Sequence, residues 1–188
     1  MVFLMVMSKG KRQGKALAGA NQRPRAVVIN APPRYLFIDA WNVVHGLPRL
    51  SKLVAAGLDC ARDALAQMVE SIHHAETIHV VLVFDSRQDT VQTEHPLGVK
   101  TFEFLFAPAA LSADGAIERM VARLQDPSQS TVISNDAMVR ESIRSLGANA
   151  LSPKELADWA RACELRQQQG LTAMRRKNER DWGQRIPL

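Results

Sequence analysis

Apolar and polar positions follow two rhythms along the middle of the chain. Short unbroken apolar runs mark strands buried on both faces, and apolar repeats at three to four residues mark amphipathic helices. Tyr35-Leu36-Phe37-Ile38 is the first run, Ile78 to Phe84 (IHVVLVF) the second, Thr101 to Phe106 (TFEFLF) the third and Thr131 to Ser134 (TVIS) the fourth. Ala148 to Leu151 makes a short last strand. Between the first two runs, Val54, Leu58, Ala61, Leu65, Met68, Val69 and Ile72 fall on one helical stripe, with Gly57 placed to split its start. Ser112 is placed to cap a helix carrying Ile117, Met120, Val121 and Leu124, which Pro127 ends. Val139, Ile143 and Leu146 mark a further helix, closed by Gly147. Ser152-Pro153-Lys154-Glu155 is a capping box that opens a helix to about Gln169. Residues 86–98 are polar, contain Pro96 and Gly98, and read as a loop. Strand and helix thus alternate regularly, which predicts an α/β fold with a mostly parallel sheet covered by helices on both faces.

The two ends break the rhythm. Residues 1–33 are rich in Lys, Arg, Gly, Ala, Asn and Pro and show no period, so they read as a disordered basic arm. Their apolar start is only seven residues long and precedes the positive charges Lys9, Lys11 and Arg12, the reverse of a secretory signal. Residues 170–188 read as a basic tail of weak helical character, leaving 34–169 as the folded domain. Charge follows the same division. Residues 1–38 carry seven Lys/Arg and no acid, residues 39–160 ten bases and sixteen acids, and residues 161–188 seven bases and three acids. Basic ends suit a polyanion such as nucleic acid or a membrane surface. An acidic middle asks whether some of that acid forms a cation site.

Composition narrows the classes. In 188 residues, 46% hydrophobic and 23% charged, there is material for a sizeable core. No apolar run approaches the ~20 residues of a membrane span. Cys60 and Cys163 are too few and too far apart for a disulfide framework or a paired-cysteine zinc site, and read as reduced thiols of a cytoplasmic protein. Neither glycine-rich phosphate cradle is present, nor a G-x-S-x-G elbow. No His-x-x-x-His pair exists; the histidines read as surface residues, with His45 alone near the edge described next.

In parallel α/β sheets, ligands bind beyond the carboxyl ends of the strands. Four aspartates map there. Asp39 follows the first strand and Asp85 the second; Asp136 follows the fourth by one residue; Asp114 lies in the first turn of the helix after the third. For any one of them a helix cap or a turn is sufficient explanation. Four on one edge repel one another, and a hard divalent cation with oxygen ligands relieves that repulsion. Glu118, one turn beyond Asp114, is placed to join them or simply to sit exposed.

The residues around these acids resemble a known family. Ile38-Asp39-Ala40-Trp41-Asn42-Val43-Val44 is similar to the hhhDGxNhh motif of NYN domains, a branch of the PIN-like nucleases, and the YacP-like NYN family is the best match. Val81 to Asp85, Ser112 to Ile117, Ser134-Asn135-Asp136, Leu146-Gly147-Ala148 and Ser152 to Leu156 match its later motifs in order, so the resemblance spans about residues 34–168. One departure stands out: Ala40 replaces the usual Gly, which matters if the backbone there needs a positive φ.

The resemblance implies a PIN-like three-layer α/β/α sandwich and metal-dependent endoribonuclease activity, with members that associate with ribosomes and cut messenger RNA. Asp39, Asp114 and Asp136 match its catalytic acids around Mg²⁺ or Mn²⁺, with Asp85 as a further ligand or neighbour and Asn42 orienting water or a phosphate oxygen. A metal-activated water would attack phosphorus in line. Arg49, Lys52, Arg87, Arg175 and Arg176 are candidates for RNA phosphate contacts. The rival readings are a non-catalytic RNA- or ribosome-binding module, a small-molecule phosphohydrolase, and a protein-binding scaffold. The phosphohydrolase is disfavoured because no D-x-D follows the first strand.

Overall fold

The computed structural model describes residues 34–185; the expected basic arm, residues 1–33, lies outside them. Strand β1, Tyr35–Asp39, forms the centre of a six-stranded sheet. It pairs in parallel with β2, His79–Asp85, on one side and β5, Ser130–Ile133, on the other. Outward from β2 lie β4, Phe102–Ala107, parallel, and then β3, Gln92–Glu94, antiparallel. Outward from β5 lies β6, Asn149–Leu151, parallel. The order is β3-β4-β2-β1-β5-β6, so the four long predicted strands are parallel neighbours.

Side chains alternate across each strand and so feed two cores, one per face. On one face Leu36, Ile38, Val80, Leu82, Phe84, Phe102 and Phe104 pack with α1, Ala40–Gly46, with α3, Leu58–Glu76, and with α6, Pro153–Arg185. On the other, Phe37, Val81, Val83 and Val132 pack with α4, Ala113–Ala122, and α5, Ala137–Ser145. The short α2, Pro48–Ser51, and a 3₁₀ turn over Lys52–Ala56 complete the first layer. The expected three-layer sandwich is the observed fold.

Several details differ from the sequence reading. Gly57 does split the predicted helix: its φ of +138° is one that L residues rarely adopt, so the 3₁₀ turn ends there and α3 starts at Leu58. β3 falls inside the expected loop. Its three residues are all exposed and polar, and an edge strand of that kind carries no burial pattern. α6 does not stop near Gln169 but runs to Arg185, and Gly170 meets no neighbour within 4 Å where a Cβ would sit. The capping box that opens it is present, with Ser152 N–H donating to Glu155 Oε2 at 2.7 Å and Glu155 N–H to Ser152 Oγ at 3.3 Å. Ala40 heads α1 without a positive φ and is fully buried, so the replaced glycine costs no strain.

Candidate active site

The carboxyl ends of β1, β2 and β5 face the same way because the strands are parallel. The chain leaves β1 toward α1 on one face and β5 toward α5 on the other, which opens a crevice between them. A cleft of about 300 Å³ lies at this edge, and Asp39, Asn42, Asp85, Asp114 and Asp136 all line it, together with Trp41, His45, Ser112, Ala113 and Val139. Acids from four separate segments, 97 residues apart at the extremes, therefore meet in one place.

Each acid is fixed through one oxygen by a backbone N–H. Asp39 caps α1, accepting from Asn42 N–H at 3.3 Å. Asp136 caps α5, accepting from Met138 N–H at 2.7 Å, while its own N–H donates to the buried Ser134 Oγ at 3.1 Å. Asp114 accepts from Gly115 N–H at 2.8 Å. Asp85 accepts from Ala113 N–H at 2.8 Å and so caps α4 from 28 residues away. Ser112 occupies the N-cap position, as the sequence suggests, but its side chain makes no capping bond; Asp85 has taken that part. For Asp85, Asp114 and Asp136 the second carboxylate oxygen has no protein donor among the described residues.

Asp39 is the buried member, only 6% exposed. Burial pushes its carboxyl up from the ordinary 3.8 to about 6, and the charges of Asp85 and Asp114 push the same way; the Asn42 backbone and side-chain amides oppose them. Asn42 has a second task. Its Oδ1 accepts from Asn135 N–H at 3.0 Å, tying α1 to the residue before Asp136. Arg140, one turn beyond Asp136, donates from Nη1 to the Ser134 carbonyl at 2.8 Å and holds the same strand end.

The remaining candidates lie elsewhere. Glu118 is half-buried on α4 and is not among the residues lining the cleft. Arg49, Lys52 and Arg87 are exposed, and Arg175 and Arg176 lie on the exposed half of α6; none of the five lines the cleft. The sequence reading passed over Trp41 and Arg140. Trp41 stood between two singled-out residues, Asp39 and Asn42, and Arg140 stood four residues after Asp136 on the same helix.

A family model for the YacP-like NYN domain matches residues 36–187. A crystal structure of a mutant form of Rae1 (YacP) from Bacillus subtilis is similar at 25% identity and a TM-score of 0.63, over 75% of this chain and 83% of that one. A second crystal structure of Rae1 (YacP) from Bacillus subtilis is similar at 23% identity and a TM-score of 0.60, over 78% and 84% of the two chains. No curated protein matches the chain.

Proposed function

This chain belongs to the YacP-like NYN domain family, a nuclease-type, RNA-related family, and from that premise we propose that it is a divalent-metal-dependent endoribonuclease. The observation that supports the reading most is the meeting of Asp39, Asp85, Asp114 and Asp136 in one cleft at the carboxyl edge of a parallel sheet.

The donors in the cleft fit a hard cation. All four are carboxylate oxygens, the ligands Mg²⁺ and Mn²⁺ take. Among the described residues none of the four is in an ion pair. Among the same residues no three such side chains stand close enough to hold one ion in common. The fit is therefore one of donor chemistry, oxygen ligands of the kind a hydrated Mg²⁺ or Mn²⁺ would accept. Asp39, Asp114 and Asp136 would hold it, with Asp85 committed in part to capping α4. Such an ion supplies positive charge at a phosphodiester and a more acidic bound water.

The chain's own groups do the rest. The Asn42 side chain keeps Asp39 and the Asp136 loop in register, since its carbonyl is held by Asn135 and its amide lies against Asp39. One oxygen of each acid is already held by a backbone N–H, which limits the reorganisation the carboxylates need on binding. Arg49, Lys52, Arg87, Arg175 and Arg176, outside the acidic cleft, would bind flanking phosphates. The proposal extends to messenger RNA on the ribosome as the substrate pool, which co-sedimentation with ribosomes tests.

The spread of the carboxylates favours one other reading, an RNA-binding module without catalysis. One experiment separates the two. RNA is incubated with Mn²⁺ and either the wild type or Asp114→Asn. The nuclease reading expects cleavage by the wild type and a loss of at least 100-fold in the variant with its melt intact, an estimate in the range of lost electrostatic stabilisation. Equal cleavage, or RNA binding with no wild-type cleavage under Mg²⁺ or Mn²⁺, sinks it.

A further inference from the structure

A cleft lined by four carboxylates repels the phosphates of its own substrate, and no Lys or Arg lines it among the described residues. Beyond the charge a bound cation would supply, nucleotide affinity inside the cleft must then come from side chains other than Lys and Arg. Two aromatic rings are available. Trp41 and His45 stand four residues apart on α1, hence on one helix face, and both line the cleft. The same helix fills the core with other residues: Ala40, Val43 and Val44 are fully buried, while Trp41 is half-buried and His45 exposed.

The indole is held from behind. It meets the Phe84 ring edge-on, with centroids 5.3 Å apart and planes at 71°. Phe84 in turn stacks on Phe106 at 5.4 Å and 24°, and directly precedes Asp85. Trp41 is thus a backed aromatic surface set beside Asp39 and Asp85. Its indole N–H has no protein acceptor among the described residues and is not a buried orphan.

We infer that Trp41, with His45 one turn beyond, forms a stacking subsite that takes an unpaired nucleobase next to the phosphate offered to the carboxylates. This rests on the nuclease reading above and deepens it at one residue: Trp41 takes a base only when it is unpaired, because a base stacked within a duplex has no free face to offer. Stacking of this kind tolerates any base, so the subsite selects strandedness and not sequence.

The test uses Trp41 as its own reporter. In the full chain carrying Trp159→Phe and Trp182→Phe, Trp41 is the only tryptophan left of the three. With Asp114→Asn added so that RNA stays whole, a labelled single-stranded oligoribonucleotide is titrated and followed by both anisotropy and tryptophan emission. Saturable quenching by the single strand is expected, with little from the same strand in a duplex or with abasic positions. In otherwise wild-type protein, Trp41→Ala should raise KM for single-stranded RNA about 5- to 100-fold with a much smaller change in kcat, and Trp41→Phe should recover most of it. Binding by anisotropy without quenching, or equal quenching by the abasic strand, overturns the subsite even if cleavage is intact. Quenching by the single strand without wild-type cleavage supports the subsite and removes the nuclease reading instead.

Discussion

At Asp39 the folded state favours the protonated carboxyl. Its pKa rises from 3.8 to about 6, chiefly by burial, so the folded chain binds a proton that the unfolded chain has released between those values. Stability must therefore fall as pH rises from about 4 to about 6, and the full penalty, on the order of 2 to 3 kcal/mol from the size of the shift, persists above that window. Asn keeps the α1 cap and removes the charge. In chelator, Asp39→Asn should melt higher than the wild type at pH 7.5, with the gain shrinking toward pH 4.5. Added Mn²⁺ should raise the wild-type melt and leave the variant nearly unmoved. A variant that melts lower at every pH would refute this account. All four acids were legible in the sequence because each abuts a strand end or opens a helix. What Asp85 does with one of its oxygens was not: its partner, Ala113, lies 28 residues away, and no local pattern announces a cap delivered from another strand. Trp41 was overlooked for a related reason, since a tryptophan on a short helix has core packing as its default explanation.

Among the elements, α6 departs most from what periodicity suggests. Its first turns bury Leu156, Ala160 and Cys163 against the sheet and α3. From Gly170 to Asp181 every residue is exposed, Leu171 at 59% and Met174 at 67%. Good helix formers such as Met174, Arg175, Arg176 and Lys177 prolong the helix where no packing asks for it, which is why an argument from apolar stripes ends too soon. Truncation after Gln169 should then change stability by no more than about 0.5 kcal/mol, as for surface changes generally. Amide exchange should be fast over 170–185 and slow over 156–163. A large drop in melting temperature would show a packing role that the exposed surface does not suggest. α1 and β3 escaped the sequence reading for opposite reasons. α1 has only seven residues, too few to display a period, and β3 is a polar edge strand with nothing to bury.

For the molecule as a whole, the separation of charge sets the expected salt behaviour. Residues 1–33 hold six Lys/Arg and no acid, and none of the proposed site residues. Their deletion should weaken RNA binding at low salt and flatten the dependence of log K on log salt, while kcat on saturating RNA is retained. Filter binding across a salt series measures the slope; an unchanged slope would show that the arm contacts no phosphate. The placement of β1 has a different consequence, one that concerns time. Its two neighbours arrive late and unequally during synthesis: Phe37 pairs with Val81 on one side and with Val132 on the other. Until β5 has emerged, the central strand of the sheet has one open, hydrogen-bond-hungry edge. A nascent chain that stalls between the two carries an adhesive flank and, lacking Asp136, an incomplete set of acids. Competence to act and safety from aggregation arrive together, with the same few residues.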